Sequence, residues 1–141
     1  MPRVRILLAD PNASMLAMVA EMLRDEFDVV GAVHTGADAV RDVCTSTPDL
    51  LILSVWLGDM TGFEAAQRLQ ASGCKTKLLY LSLHEGEAFV NAAFENGASG
   101  YVFKSQAGSD LLKAIRVVAN GGVFRPKPTS SDLDCATAQP A

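Results

Sequence analysis

The sequence predicts an α/β protein, a parallel sheet with helices on both faces. Leu50–Leu53 is an apolar run without alternation, bounded by turn residues, which is typical of a central strand buried on both faces. Along the chain, five short apolar runs alternate with segments of helical periodicity. Strict alternation implies right-handed crossovers and a doubly wound (βα)5 sheet. With 141 residues, 49% of them hydrophobic and 20% charged, the chain fits a single globular domain.

The amino-terminal half supplies two strand–helix units. Residues 3–9 contain an apolar Ile-Leu-Leu run and end at Asp10-Pro11, where the chain must turn. A set of apolar residues then recurs at helical spacing: Met15, Met18, Val19, Met22 and Leu23. Residues 28–33 form a second short strand, and Thr35 begins a second helix with the spacing of a capping box.

The carboxyl-terminal half repeats the pattern three times. Its strands are short apolar runs: 50–53, 76–82 and 99–103. Thr61 begins the helix after the first of them by the same capping-box spacing, and we expect Ser109 to cap the last helix. Asn96-Gly97 and Asn120-Gly121-Gly122 end the fourth and fifth helices. Residues 125–141 are rich in Pro, Ser, Thr and Ala, which predicts a disordered tail or a truncated linker.

Composition narrows the classes of function. The apolar runs are all shorter than the roughly 20 residues of a membrane span, and the start lacks a signal-peptide pattern. We therefore expect a cytoplasmic protein without membrane contact. A net charge of −4 argues against direct nucleic-acid binding. The cysteines, Cys44, Cys74 and Cys135, are odd in number and lack ligand-like spacing, so neither a disulfide framework nor a zinc site is supported.

Polar residues follow four of the five predicted strands. Asp10 follows the first strand, Ser54 the third, Ser82 ends the fourth, and Lys104 follows the fifth. In a parallel sheet, the carboxyl ends of the strands meet at one edge, where ligands bind in doubly wound folds. Each residue alone also has a structural explanation as a helix cap, a loop anchor or a surface charge. Together they predict one shared crevice.

Four segments of the sequence carry a resemblance to a known family. They are residues 48–53, 62–65, 96–104 and 111–115, which read PDLLIL, GFEA, NGASGYVFK and LLKAI. With them, residues 3–124 resemble the receiver domain of a two-component response regulator, of the subfamily that usually precedes a helix-turn-helix DNA-binding domain. The resemblance implies a receiver domain over 1–124, with a flavodoxin-like sheet in strand order 2-1-3-4-5.

The resemblance also implies roles for individual residues. Receivers transfer a phosphoryl group from a phosphohistidine to an aspartate that ends the third strand, with magnesium held by nearby acids. By this resemblance, Lys104 and Ser82 would hold the phosphoryl oxygens, and Trp56 would offer its backbone carbonyl to the metal. Tyr101 would be the switch aromatic, and Asp10 the first of an acidic pair.

Two positions depart from the family pattern at the centre of this chemistry. Ser54 stands where the acceptor aspartate should be, and Pro11 replaces the second acid of the pair. A serine hydroxyl is a weak nucleophile unless a neighbouring base takes its proton. With Asp10 as the remaining acid, the pocket should bind magnesium weakly at best. We expect instead that Lys104 pairs with Asp10 or bonds the Ser54 hydroxyl.

The leading hypothesis is therefore a pseudo-receiver, a non-enzymatic module that is not phosphorylated in the usual way and acts through protein partners such as a histidine kinase or an output protein. The alternative is a phosphorylatable receiver that uses Asp10, Asp59 or Ser54 with magnesium. Asp59 is more simply explained as a cap of the helix near Thr61. A small-anion or nucleotide binder ranks last, because no Gly-rich loop follows the first strand.

The expected partner surface is the face formed by the fourth helix, fifth strand and fifth helix. On the fourth helix, we expect Phe89 and Ala93 to face the core. Val90 and Phe94 would then lie one turn apart on another face, where they either bind a partner or a second copy of the chain or merely rim the core.

Overall fold

The computed structural model describes residues 3–126, in which strands and helices alternate along the chain. The strands are β1 (Arg5–Ala9), β2 (Asp28–Val33), β3 (Leu50–Leu53), β4 (Lys77–Ser82) and β5 (Gly100–Phe103). The α-helices are α1 (Ala13–Leu23), α2 (Gly36–Ser46), α3 (Gly62–Ala71), α4 (Glu87–Glu95) and α5 (Ala107–Ala119). A 3-10 turn, Lys104–Gln106, leads from β5 into α5.

The sheet is parallel, in the order β2-β1-β3-β4-β5, which confirms the predicted doubly wound (βα)5 fold. Its central strand is β3, and all four of its residues are buried. Leu51 packs with the helices α2, α3 and α4, whereas Ile52 packs with α1 and α5. Because both faces of β3 are covered, its sequence shows no alternation of apolar and polar residues.

The helix starts at α2 and α3 were predicted correctly. The Thr35 hydroxyl accepts a hydrogen bond from the amide of Asp38 at 3.1 Å, and Thr61 accepts one from Glu64 at the same distance. These side chains satisfy amides that have no partner within the first turn.

The predicted start of α5 is wrong. The helix begins at Ala107, directly after the 3-10 turn, with Gln106 at its N-cap. Ser109 therefore lies within the first turn, where its hydroxyl donates to the carbonyl of Gln106 at 3.2 Å. The 3-10 turn runs directly into the helix, and no side chain caps the start of α5.

The predicted faces of α4 are also wrong. Val90 is buried at 4% exposure and shares the core with Ala93, whereas Phe89 is 38% exposed. Residues three and four apart both lie on one helix face, so the spacing could not choose between Val90 and Phe89 as the partner of Ala93. The Phe89 ring instead stacks on His84, with their centroids 4.3 Å apart. Phe94 is partly buried against the same core.

The chain after α5 returns to the sheet. Phe124 forms a parallel bridge with Gly100 on β5, the last strand in the sheet order. Arg125, predicted as the first residue of a tail, contacts α4. The rest of that predicted tail, beyond Pro126, lies outside the described residues. Within residues 3–126, no helix combines the length and apolar character that a membrane crossing requires.

Candidate functional site

The strand order brings the predicted polar residues to one edge of the sheet. Ser54 lies beside the end of β1, because its amide donates to the carbonyl of Ala9 at 3.2 Å. Ser82 pairs with Phe103, the residue before Lys104, in the β4–β5 ladder. Asp10, Ser54 and Ser82 are all buried. The carboxyl ends of β1, β3, β4 and β5 thus bring these residues to one edge of the sheet.

Asp10 and Lys104 form a direct ion pair at this edge. The Lys104 ammonium lies 2.7 Å from Oδ2 of Asp10, and the two side chains are only 9% and 8% exposed. Oδ1 of Asp10 accepts a hydrogen bond from the amide of Asn12 at 2.8 Å. Of the two contacts predicted for Lys104, the ion pair is confirmed. Both carboxylate oxygens of Asp10 therefore have a donor within the chain.

The residues at this edge fit magnesium poorly. Mg²⁺ is usually held by one or two carboxylates together with waters and substrate oxygens. Here Pro11 and Ser54 contribute no carboxylate, and the oxygens of Asp10 are engaged by Lys104 and Asn12. Among residues 3–126, no cluster of three or more His, Cys, Asp or Glu side chains is arranged to hold a metal. The donor set favours an internal ion pair over a metal.

Ser82 and Tyr101 hold the peptide groups of the loop after β4. The Ser82 hydroxyl accepts a hydrogen bond from the amide of His84 at 2.9 Å. The Tyr101 hydroxyl donates to the carbonyl of the same residue at 2.7 Å. Burial is the main cause that raises the pKa of the Tyr101 phenol, so it remains a neutral donor at physiological pH. In addition, Ser105 donates to Glu85 at 2.7 Å, which links this loop to the one after β5.

Tyr101 is fixed in an inward position by a column of aromatic rings. Its ring stacks on Tyr80 with centroids 5.8 Å apart and meets Phe103 edge-on at 5.9 Å, while Phe63 packs on Tyr80 in a tilted arrangement at 5.7 Å. Within the described residues, the Tyr80 hydroxyl is buried without a hydrogen-bond partner. Tyr80 was not identified from the sequence as a residue that packs against Tyr101. The one indication in the sequence was a tyrosine inside the apolar run of the fourth strand.

The remaining predicted pocket residues lie at the rim. Trp56 forms an isolated bridge with Thr61, and its indole is 53% exposed. Pro11 is exposed on the loop after β1. These two side chains face solvent, whereas Asp10, Ser54 and Ser82 are buried.

Asp59 has a different partner from the one predicted. Its carboxylate oxygens accept hydrogen bonds from the amides of Gly36 at 2.7 Å and Ala37 at 3.0 Å, so it binds the start of α2. These amide bonds are the main cause that lowers the pKa of Asp59. The prediction that it caps α3 is wrong, because Thr61 already does so. Asp59 is thus a structural link between α2 and the loop after β3.

Comparison with known proteins identifies the family. The family model of the response regulator receiver domain matches residues 6–116. The chain belongs to the response regulator receiver domain family. Its curated relatives include the transcriptional regulatory protein DegU of Brevibacillus brevis, 32% identical over 130 residues, and DesR of Bacillus subtilis, 32% identical over 120 residues. The alignments cover 90% and 84% of this receiver domain chain but only 55% and 59% of those relatives.

Solved structures agree with this assignment. A LuxR-family two-component response regulator from Aurantimonas sp. SI85-9A1 superposes with a TM-score of 0.87 at 26% identity, covering 97% of this chain and 99% of that one. The signal receiver domain of NarL from Mycobacterium tuberculosis superposes with a TM-score of 0.77 at 26% identity, covering 86% and 99%. The chain is a receiver domain of the LuxR/NarL type.

Proposed function

We propose that this receiver domain is a pseudo-receiver: it is not phosphorylated by the usual aspartyl mechanism and acts as a constitutive protein-interaction module. The observation that supports the proposal most is the buried Asp10–Lys104 ion pair. It fills the place where the family resemblance implies a metal and a phosphoryl group. A phosphoryl group entering this site would have to break the pair, and Ser54 offers it no carboxylate.

The alternative acceptors are poorly placed for the reaction. Attack by Ser54 needs a base to remove its proton, and the ring of His84, the histidine nearest to Ser82 in the sequence, is stacked on Phe89 at 4.3 Å. The oxygens of Asp10 and Asp59 both accept hydrogen bonds from the chain itself. Phosphorylation at either carboxylate would therefore break contacts that hold β1 to β5 or α2 to its neighbouring loop.

The inward Tyr101 supports a constitutive role. Its hydroxyl is bonded to the carbonyl of His84, and its ring is packed against Tyr80 and Phe103. Together with the Ser82 hydroxyl, which accepts a hydrogen bond from the amide of His84, it holds the loop after β4 in place. In the proposed function, the loop after β4 keeps one conformation, and a partner recognises it without a prior phosphorylation step.

Proteins are the proposed class of partner. The curated relatives named above are transcriptional regulatory proteins, and this chain spans little more than half of their length. We infer that the partner is an output protein or a histidine kinase that contacts the receiver surface. A role without direct nucleic-acid contact agrees with the net charge of −4.

The test is incubation of the chain with acetyl phosphate and magnesium, followed by intact-mass measurement. The unaltered chain is expected to gain no phosphoryl group. The double variant Pro11→Asp/Ser54→Asp is the matched control, because it restores two carboxylates beside Asp10, and it is expected to gain one. A phosphoryl adduct on the unaltered chain would support the phosphorylatable alternative at Ser54, Asp10 or Asp59 and overturn the proposal.

A further inference from the structure

The segment that follows α5 adds to the sheet. Gly121 has φ +89°, a left-handed conformation that turns the chain at the end of the helix. The amide of Phe124 then donates to the carbonyl of Ser99 at 3.0 Å, and the amide of Tyr101 donates to the carbonyl of Phe124 at 3.1 Å. The outer edge of β5 is thus paired, over this short stretch, with the chain's own backbone.

Side chains of this segment anchor it on both sides of the sheet. Phe124 packs against the core beneath α1 and α5. The guanidinium of Arg125 lies over the ring of Phe94 on α4, 4.9 Å from its centroid, and donates to the side-chain oxygen of Asn91. Successive residues of an extended segment point to opposite faces, so an aromatic residue followed by arginine engages both faces at once.

These contacts define a β5-edge site, which consists of the backbone of residues 99–101 with Asn91 and Phe94. Unpaired strand edges recruit extended peptides, whose backbone gives affinity and whose alternate side chains give specificity. Here the bound segment pairs with β5 in the parallel direction. Two features give specificity: a space for an aromatic ring, and the Phe94 ring with the Asn91 side chain, which together hold a guanidinium.

We propose that the β5-edge site binds an extended protein segment in which an aromatic residue is followed by arginine, and that residues 122–126 occupy it in cis. The inference deepens the proposed function and rests on it, because it names the surface and the chemistry of the protein partner. A partner segment of this kind displaces the chain's own segment and leaves the Asp10–Lys104 site untouched.

Several features make the cis segment exchangeable. It is joined to α5 by the turn at Gly121-Gly122, which lies outside both α5 and β5, so the segment can leave the edge without disrupting either element. Val123 is 65% exposed and Arg125 is also exposed, so the segment contributes little to the core besides Phe124. A segment tethered in this way competes at a high effective concentration, and disabling it should expose the site to peptides in solution.

The test uses the full chain and a fluorescent peptide with the sequence of residues 122–127, Gly-Val-Phe-Arg-Pro-Lys. In the variant Phe124→Asp/Arg125→Glu, the cis segment loses both anchors. This variant is expected to bind the peptide about tenfold or more tightly than the unaltered chain, because the tethered competitor is gone. Adding Asn91→Ala/Phe94→Ala to it should abolish binding, and a peptide with Ser-Glu in place of Phe-Arg should not bind.

Amide hydrogen exchange provides the second measurement and a control for folding. The Tyr101 amide should be protected in the unaltered chain and exchange faster in Arg125→Ala, whereas the amides of β3 should exchange at the same rate in both. Three results would each overturn the proposal. The first is equal peptide binding by the unaltered chain and the Phe124→Asp/Arg125→Glu variant, and the second is no binding by that variant while its β3 amides remain protected. The third is an unprotected Tyr101 amide in the unaltered chain. Because no phosphodonor is present, these outcomes are independent of whether the site can be phosphorylated.

Discussion

At the level of single residues, the side chains around Asp10 determine how it interacts with Lys104. At this edge Pro11 and Ser54 contribute no carboxylate, and Asp10 pairs directly with Lys104 at 2.7 Å. A buried pair of this kind adds little over apolar residues of the same size, but removing one partner leaves an uncompensated charge. Loss of either Asp10 or Lys104 alone should therefore lower the stability of the fold.

Removal of one member of the pair should destabilise the fold. Asp10→Ala is expected to lower the free energy of unfolding by about 3 kcal/mol, because Lys104 is left buried without a counter-charge. Urea denaturation measures this. The matched control is Glu21→Ala, which breaks an exposed pair with Arg24 at 3.2 Å and should cost less than about 1 kcal/mol. Equal effects of the two substitutions would contradict the structural role of the ion pair.

The two tyrosines of the aromatic column should respond oppositely to loss of their hydroxyl groups. Tyr101→Phe removes the donor to the His84 carbonyl and should destabilise the chain by about 1 kcal/mol. Tyr80→Phe removes a buried hydroxyl that has no partner among the described residues, so it should stabilise the chain by up to about 1 kcal/mol. Thermal unfolding of both variants checks the signs. A destabilising Tyr80→Phe would mean that this hydroxyl has a partner.

At the scale of secondary-structure elements, the sequence predicted what local chemistry determines. Thr35 and Thr61 marked the starts of α2 and α3 because a hydroxyl three residues before an amide can cap it. The prediction of the buried face of α4 was wrong because Val90 and Phe89 both have helical spacing to Ala93. Which of the two is buried depends on how the loop after β4 orients the helix. The prediction for Asp59 was wrong because its partners on α2 lie more than twenty residues away in the sequence.

Asp59 should couple the stability of α2 to pH. Hydrogen bonds from Gly36 and Ala37 lower its pKa in the folded chain, so this stabilisation is present above the unfolded pKa of about 4 and is lost as the pH falls through the folded value. Asp59→Asn should lower the thermal midpoint at neutral pH and flatten its decline in acid. Asp42→Asn, in the second half of α2, is the control. The account of Asp59 fails if the two variants show the same acid profile.

At the scale of the whole molecule, the order of the strands explains why the site was predictable and the β5 edge was not. Parallel strands gather their carboxyl ends, so the order of the strands alone predicts Asp10, Ser54, Ser82 and Lys104 at one edge of the sheet. The return of Phe124 to β5 depends on a turn at Gly121 and on contacts with α4. The sequence around it, read as the boundary of a tail, carries no periodic signal for such pairing.

The most direct test of the central claim is an amide NMR spectrum of the full chain with and without magnesium and acetyl phosphate. If the domain is a constitutive interaction module, the amides of Ser82, His84 and Tyr101 should keep their positions, because the ion pair and the inward Tyr101 already define the loop after β4. The Pro11→Asp/Ser54→Asp variant should show shifts of these amides under the same conditions. Shifts of the same amides in the unaltered chain would contradict the claim and show a receiver that still responds to phosphorylation.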